Sequence, residues 1–201
     1  DPFIGSGMID GVIVVGQSDQ FNHLEEVADG YRPMVVWGQH REGQRHCVVG
    51  SDNLLGGKLA MQRLVAGGAK RIAFVGDTNA PEFAARYSGA SQVAQSFGLA
   101  LSELPAHLAT SNMTTEIAAL MKEAADNYDG LFAATDLLAL ACLGELRKIG
   151  RNVPKDMKIV GLDDLPIAQQ TAPPLTTIRQ DIAGGARAIV QLLLRRIAGE
   201  E

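Results

Sequence analysis

The 201-residue chain has little cysteine, few aromatic side chains and no surplus of positive charge. Its two cysteines, Cys47 and Cys142, are too few for a disulfide framework, and we expect both to be reduced. The net charge of −5 does not provide the basic surface that binds nucleic acid. No apolar run approaches the length that spans a bilayer, and the first residues do not resemble a signal peptide. These absences predict a cytoplasmic protein with no membrane partner.

The motifs of several catalytic classes are also missing. The sequence contains neither the G-x-S-x-G nucleophile elbow nor the G-x-x-x-x-G-K-[ST] phosphate loop. The segment GDTNAP, residues 76–81, lacks the glycines of a nucleotide-binding turn. The four histidines are scattered without metal-ligand spacing: His23, His40, His46 and His107. We therefore predict no catalytic site, no metal and no cofactor, and keep an α/β enzyme acting on a small metabolite as an alternative.

What the sequence does contain is a regular alternation of short apolar runs with amphipathic segments. Continuous apolar runs of this length are typical of strands that are covered on both faces. The predicted strands are residues 11–16, 33–38, 45–50, 71–76, 130–135 and 158–163. The predicted helices are residues 53–67, 82–97, 114–126, 136–149 and 183–198. Strand and helix in alternation indicate mostly parallel sheets, so the predicted fold class is α/β.

Capping residues support the predicted helices. Asp52 or Asn53 precedes the first of them, and Thr114 or Thr115 begins the third. Asp136 is most simply the N-cap of the fourth helix, LLALACLGELRKI, which is apolar almost all round. Such a helix is either deeply buried or covered by a second subunit.

Polar side chains follow nearly every predicted strand. In an open parallel sheet, ligands bind outside the carboxyl ends of the strands, because loops and helix N-termini converge there. The residues at these ends are Gln17, Ser18, Trp37, Gln39, His40, Asp77, Thr135, Asp136, Asp163 and Asp164. We expect them to form a pocket for a hydroxyl-rich small molecule.

The adjacent aspartates that follow the last predicted strand have several possible roles. Neighbours in sequence point in different directions, so Asp163 and Asp164 do not form a shared acid/base pair without a special turn. Asp164 precedes LPIAQQ and suits a helix cap, which leaves Asp163 to face a ligand. Trp37 fits a core position about as well as a pocket wall, and Arg86 by itself is an ordinary surface arginine on a helix.

The order of these motifs resembles the effector-binding region of the lac-repressor-like (LacI/GalR) family of bacterial transcription regulators. The segments that carry the resemblance are MIDGVIVVG (8–16), VVGSDNLLGGKLAMQRLVAGGAKRIAFVG (48–76) and ARYSGA (85–90). The most specific is FAATDLLALACLGELRKIGRNVPKDMKIVGLDDL (132–165), followed by PPLTTIRQD (173–181). The similarity covers essentially the whole chain, with the motifs in the expected order.

The resemblance implies a fold of two Rossmann-like lobes with parallel sheets, as in periplasmic sugar-binding proteins. Residues 1–50 with 181–201 match the N-terminal lobe, and residues 51–180 match the C-terminal lobe. It also implies a homodimer that binds a small effector, most simply a sugar, between the lobes. Asp163 matches the aspartate that clamps the effector in this family. The full set of expected ligand contacts is Arg86, Asp163, Trp37, Gln39, Thr135, Asp136, Met113 and Ile182.

The chain departs from the family pattern at both ends. The helix-turn-helix that reads operator DNA is absent from it, and the N-terminal lobe lacks its first elements and its final strand. We therefore expect contact with operator DNA only through that missing domain. A transport or chemotaxis receptor of the periplasmic type shares the implied fold and stays open as an alternative function.

Overall fold

A computed structural model describes residues 8–16, 21–30, 33–107 and 113–200 of the chain. In chain order the elements are β1 (Val12–Val15), α1 (Phe21–Gly30), β2 (Met34–Trp37), β3 (Cys47–Val49), α2 (Asn53–Ala66), β4 (Ile72–Val75), α3 (Pro81–Ser96), β5 (Leu101–Leu104), α4 (Met113–Asn127), β6 (Gly130–Ala133), α5 (Asp136–Lys148), β7 (Lys158–Asp163), a 3₁₀ helix (Pro166–Gln170), β8 (Thr176–Arg179) and α6 (Ile182–Ile197). All six predicted strands and all five predicted helices are present. The predicted pocket residues Gln17 and Ser18 lie outside the described residues.

The chain divides into two units. The first comprises residues 1–51, 80–82 and 181–201. Its described strands form one parallel sheet in the order β1-β2-β3. Leu24 of α1 packs with Met34 and Val36 of β2 in a small apolar cluster, and α6 also packs against the strands.

The second unit comprises residues 52–79 and 83–180 and contains the larger core. Its parallel sheet has the order β5-β4-β6-β7-β8. Every residue of β4 and β6 is buried, which is why both read as continuous apolar runs. At the centre, the ring of Phe74 meets Phe132 edge-on at a centroid distance of 5.2 Å and Tyr87 at 5.5 Å. These parallel sheets confirm the predicted α/β class.

The sequence reasoning missed three elements, namely helix α1 and the two outer strands of the larger sheet. Strand β5 reads LSEL and strand β8 reads TTIR, so neither shows a continuous apolar run. Outer strands are covered less completely than central ones, and polar residues are tolerated there. The two prolines that precede β8, Pro173 and Pro174, lie in the connection to this outer strand, where a missing N–H breaks no central ladder.

The helix ends correct three of the predicted caps. Thr135, not Asp136, is the N-cap of α5, and its hydroxyl oxygen accepts from the backbone N–H of Leu138 at 3.2 Å. Asp164 does not cap the 3₁₀ helix, whose N-cap residue is Leu165 and which has no side-chain cap.

Helix α4 begins at Met113, so both threonines proposed to begin it lie inside its first turn. For α2 the cap is Asp52, whose side chain accepts from Leu55 N–H at 2.9 Å.

The apolar helix α5 is largely a core element. Leu138, Leu143 and Leu146 are buried, and the helix packs against β6, β7 and α4. Leu140 is half-buried, whereas Leu137 is 52% exposed. Burial on more than one side explains the all-round apolar sequence. No helix within the described ranges combines the length and the apolarity that crossing a membrane requires.

Candidate functional site

The adjacent aspartates end strand β7 at the carboxyl edge of the larger sheet, in an unusual backbone conformation. Asp163 has φ 140° and Asp164 has φ 59°, and these are the described non-glycine residues with positive φ. The turn sends their side chains to different partners. Gln180 donates to Asp163 Oδ1 at 2.6 Å, whereas Arg179 Nε donates to Asp164 Oδ2 at 2.5 Å. Backbone strain of this kind is concentrated at functional sites.

Asp163 is half-buried, so its ionised carboxylate has lost part of the water that would stabilise the charge. Burial raises the pKa of its carboxyl above the ordinary aspartate value, against the opposing effects of the Arg86 charge and the hydrogen bond from Gln180. The negative charge of Asp136 also contributes to the raised pKa. A partly desolvated carboxylate near a cation is a strong hydrogen-bond acceptor for a neutral polar ligand.

Arg86 is buried, with 5% of its surface exposed, and is therefore not the ordinary surface arginine that the sequence alone suggested. Its Nε donates to Asn53 Oδ1 at 2.9 Å, and its Nη1 donates to the Ala134 carbonyl at 2.5 Å. The guanidinium carbon lies 5.4 Å from the centroid of the Phe83 ring. These contacts fix the guanidinium, whose charge acts on Asp163 as described above.

Asp136 lies at the same edge of the sheet and is fully buried. Its Oδ2 accepts from Leu165 N–H at 2.8 Å, and its Oδ1 accepts from the Thr177 hydroxyl at 2.6 Å. It therefore ties the start of α5 to the turn after β7 and to strand β8. That role replaces the predicted N-cap, while the predicted contact of Asp136 and Thr135 with a ligand stays a prediction.

The remaining predicted contacts are distributed over both units. Met113 begins α4 in the second unit and packs against its core. In the first unit, Trp37 ends β2 with its ring against α6, since a Cβ built on Gly185 would lie 2.1 Å from the ring. Gln39 follows two residues later, and Ile182 is the first residue of α6, where it is 53% exposed.

A charged cluster that the sequence did not predict lies at the carboxyl ends of β4 and β5 and consists of His107, Asp77 and Glu116. His107 Nδ1 lies 3.0 Å from Glu116 Oε1, and its Nε2 lies 3.6 Å from Asp77 Oδ2. The hydrogen bond to Glu116 raises the pKa of His107. Across the described ranges, no three His, Cys, Asp or Glu side chains come together as a possible metal site.

A cavity of about 270 Å³ lies elsewhere, at the amino ends of the strands. Lys158, which begins β7, and Thr176, which begins β8, both line it. The carboxylate and guanidinium described above lie at the other end of these strands, so this cavity is separate from the candidate site.

The two parallel-sheet units have the architecture of the periplasmic-binding-protein class. Residues 61–201 match the family model for the periplasmic binding protein-like domain. The chain belongs to this family, and the relatives that it matches include LacI-type transcription regulators.

Individual relatives agree with this assignment. The transcriptional regulator CelR of Thermobifida fusca is 30% identical over 98% of this chain and 60% of its own length. A LacI-type protein of Alkaliphilus metalliredigens, solved with D-xylulofuranose, superposes with a TM-score of 0.82 at 27% identity, covering 98% of this chain and 72% of that one. A regulator of Enterococcus faecium with bound ribose gives a TM-score of 0.82 at 28% identity, covering 94% and 72%. The chain thus spans less than two thirds of the length of CelR.

Proposed function

We propose that this chain is the effector-sensing core of a cytoplasmic transcription regulator, that its effector is a sugar or a related polyhydroxy compound, and that it does not act as an enzyme. The observation that carries the proposal is a fixed, buried guanidinium, Arg86, whose charge acts on a half-buried carboxylate, Asp163, at the carboxyl edge of the sheet. Relatives that are named as regulators, or were solved with xylulose and ribose, support it.

The chemistry of the pair suits a carbohydrate. Sugar hydroxyls donate and accept hydrogen bonds, so a site for them benefits from a carboxylate acceptor and a forked guanidinium donor. In the proposal Asp163 accepts from hydroxyls and Arg86 donates to hydroxyl or ring oxygens.

Regulation follows from a shift between conformations. A ligand shifts a two-state equilibrium only by the difference in its affinity for the two states, typically about 1–3 kcal/mol of coupling. In the whole regulator, we propose that this shift changes how a homodimer presents its DNA-reading parts to operator DNA. Contact with DNA belongs to the part of the regulator outside this chain.

Titration calorimetry with D-ribose, D-xylulose and cellobiose tests the proposal. For a sugar that binds the unmodified chain, Arg86→Ala and Asp163→Asn should each weaken binding by about 1.5–3 kcal/mol, the usual cost of losing a charged hydrogen-bond partner. Asp126→Asn is the matched control, because Asp126 is exposed and pairs with Arg151. A sugar whose affinity is unchanged by both site variants would show that the site is assigned wrongly.

A further inference from the structure

Helices α2 and α3 approach each other so closely that glycine is required on both sides. A Cβ built on Gly57 of α2 would lie 1.9 Å from the carbonyl oxygen of Arg86. Reciprocally, a Cβ built on Gly89 of α3 would lie 2.0 Å from the carbonyl oxygen of Leu54. Glycine inside a helix weakens that helix, so these two positions are explained by the close approach of the backbones.

This crossing places the first residue of α2 against the side chain of Arg86. Asn53 is buried, with 4% of its surface exposed, and its Oδ1 accepts from Arg86 Nε at 2.9 Å. The N-cap of the helix is its neighbour Asp52, so capping does not explain the amide at position 53. A buried amide beside a buried guanidinium instead points to a role in orienting that guanidinium.

We propose that Asn53 is a positioning residue that sets the direction of the Arg86 guanidinium, and that Gly57 and Gly89 bring the two side chains together. The proposal rests on the proposed function for the identity of Arg86 as a ligand contact, but the orientation itself precedes any ligand. A side chain held in its binding conformation loses less freedom when the ligand arrives.

The choice of asparagine over aspartate has an electrostatic consequence. The amide oxygen accepts from the guanidinium without adding a charge, so the positive charge of Arg86 continues to act on Asp163. In Asn53→Asp the acceptor is retained, but the new carboxylate opposes the effect of Arg86 and should raise the pKa of Asp163 further. When the pH is lowered, Asp163 of this variant should consequently become protonated, and sugar binding should be lost, at a higher pH than in the unmodified chain.

The orientation can be measured without a ligand, from the ¹⁵N-¹Hε resonance of Arg86 in the NMR spectrum of the chain. In the unmodified protein and in Asn53→Asp, we expect a dispersed Hε signal that exchanges slowly with water. In Asn53→Ala, the Hε proton of Arg86 should exchange with water at least tenfold faster. Asp52→Ala is the control, since it removes the α2 cap and leaves the Arg86 contact in place. The proposal would be overturned if the Arg86 Hε signal were unchanged in Asn53→Ala, or if Hε exchange became as fast in Asp52→Ala as in Asn53→Ala.

The glycine crossing has its own matched pair of variants. Gly57→Ala should shift the Arg86 Hε signal, because α2 and α3 must separate. Gly144→Ala is the control, because Gly144 lies inside α5 and a Cβ there would have no heavy atom within 4 Å. An Hε signal in Gly57→Ala that matches the one in Gly144→Ala counts against the crossing, and if Gly57→Ala does not fold, the Asn53 variants still decide.

Binding of D-ribose, D-xylulose and cellobiose completes the test. For any of these that binds the unmodified chain, Asn53→Ala should weaken affinity about five- to thirtyfold, while Asp52→Ala leaves it within twofold. If none of the three binds, the sugar assignment fails while the Hε measurement still judges the positioning role. Unchanged affinity in Asn53→Ala would contradict that role.

Discussion

Single residues at the site depend on partners that are distant in sequence, and this limits what the sequence could predict about them. Asp163 was predicted as a ligand-facing carboxylate from its place after a buried strand. By contrast, Asp136 has two hydrogen-bond partners that are distant in sequence. Leu165 is 29 residues away and Thr177 is 41 residues away, and only the folded sheet brings them to Asp136. Asn53 was predicted as a possible cap because capping is a local signal, whereas its contact with Arg86 spans 33 residues.

The raised pKa of Asp163 predicts a conflict between binding and stability. The folded chain holds the Asp163 proton more tightly than the unfolded chain does, so stability falls as the pH rises from the unfolded pKa, about 3.9, through the folded pKa. At neutral pH the ionised carboxylate of Asp163 therefore lowers the free energy of unfolding. Asp163→Asn should raise the midpoint of urea unfolding at pH 7 while weakening sugar binding.

The pH dependence separates this cause from a general effect of the substitution. The stability gained by Asp163→Asn should shrink as the pH falls from 7 through the folded pKa, and it should be gone below about 4, where the wild-type carboxyl is protonated in both states. Asp126→Asn, which removes an exposed ion pair, serves as the comparison at each pH. A gain that is constant from pH 7 to pH 4 would show that desolvation of the charge is not the reason.

Among the elements, the buried ones were predicted well and the half-covered ones poorly. Central strands such as β4 and β6 are covered on both faces, so their sequences are continuous apolar runs. The outer strand β8 has exposed residues at both ends, half-buried residues between them and threonine at two of its four positions, so its sequence is typical of a connection. For α5, the sequence could not separate the buried face from the exposed face, because apolar residues such as Leu137 also occur on the exposed face.

Lysine substitutions on α5 distinguish these two faces. Leu143→Lys should unfold the chain, since Leu143 is 3% exposed and an unpaired buried charge costs several kcal/mol. Leu137→Lys should leave the circular dichroism spectrum unchanged, because Leu137 is 52% exposed. If a second copy covers this face, light scattering should show that Leu137→Lys lowers the mass of the particle.

Leu140 is the intermediate case, since it is half-buried. Its lysine variant should destabilise the chain less than Leu143→Lys does. Folded Leu143→Lys protein would contradict the core role of that position, and an unchanged mass in Leu137→Lys would place the subunit contact elsewhere.

On the scale of the whole molecule, the two units differ in how much apolar surface they bury. The second unit has a five-stranded sheet with a large apolar core that includes edge-on aromatic rings, whereas the described part of the first has a three-stranded sheet with a small apolar cluster. In β1, Ile13 and Val15 are 44% and 80% exposed. Local stability follows buried contacts, so amide hydrogens of β1 and α1 should exchange sooner than those of β4 and β6.

The first unit compensates in part with a buried polar tie between α1 and the start of β3. Glu25 accepts from Arg45 Nε at 3.0 Å and pairs with the buried ring of His46. Burial by itself would raise the pKa of Glu25, but the hydrogen bonds from Arg45 and His46 outweigh it and lower the pKa to about 2. The stabilisation is therefore present above the unfolded pKa, about 4.3, and is lost as the pH falls through about 2.

Glu25→Gln should accordingly destabilise the first unit and spare the second. Hydrogen exchange followed by mass spectrometry at pH 7 measures each unit in the same sample. In the variant, peptides from α1 and from β1–β3 should exchange at least several-fold faster, because a buried charge-assisted contact is worth about 1.5–3 kcal/mol. Peptides from β4 and β6 should be unchanged if the units open separately. Equal acceleration in both sets would mean that the chain unfolds as one cooperative body, and no change in either would mean that the tie contributes nothing.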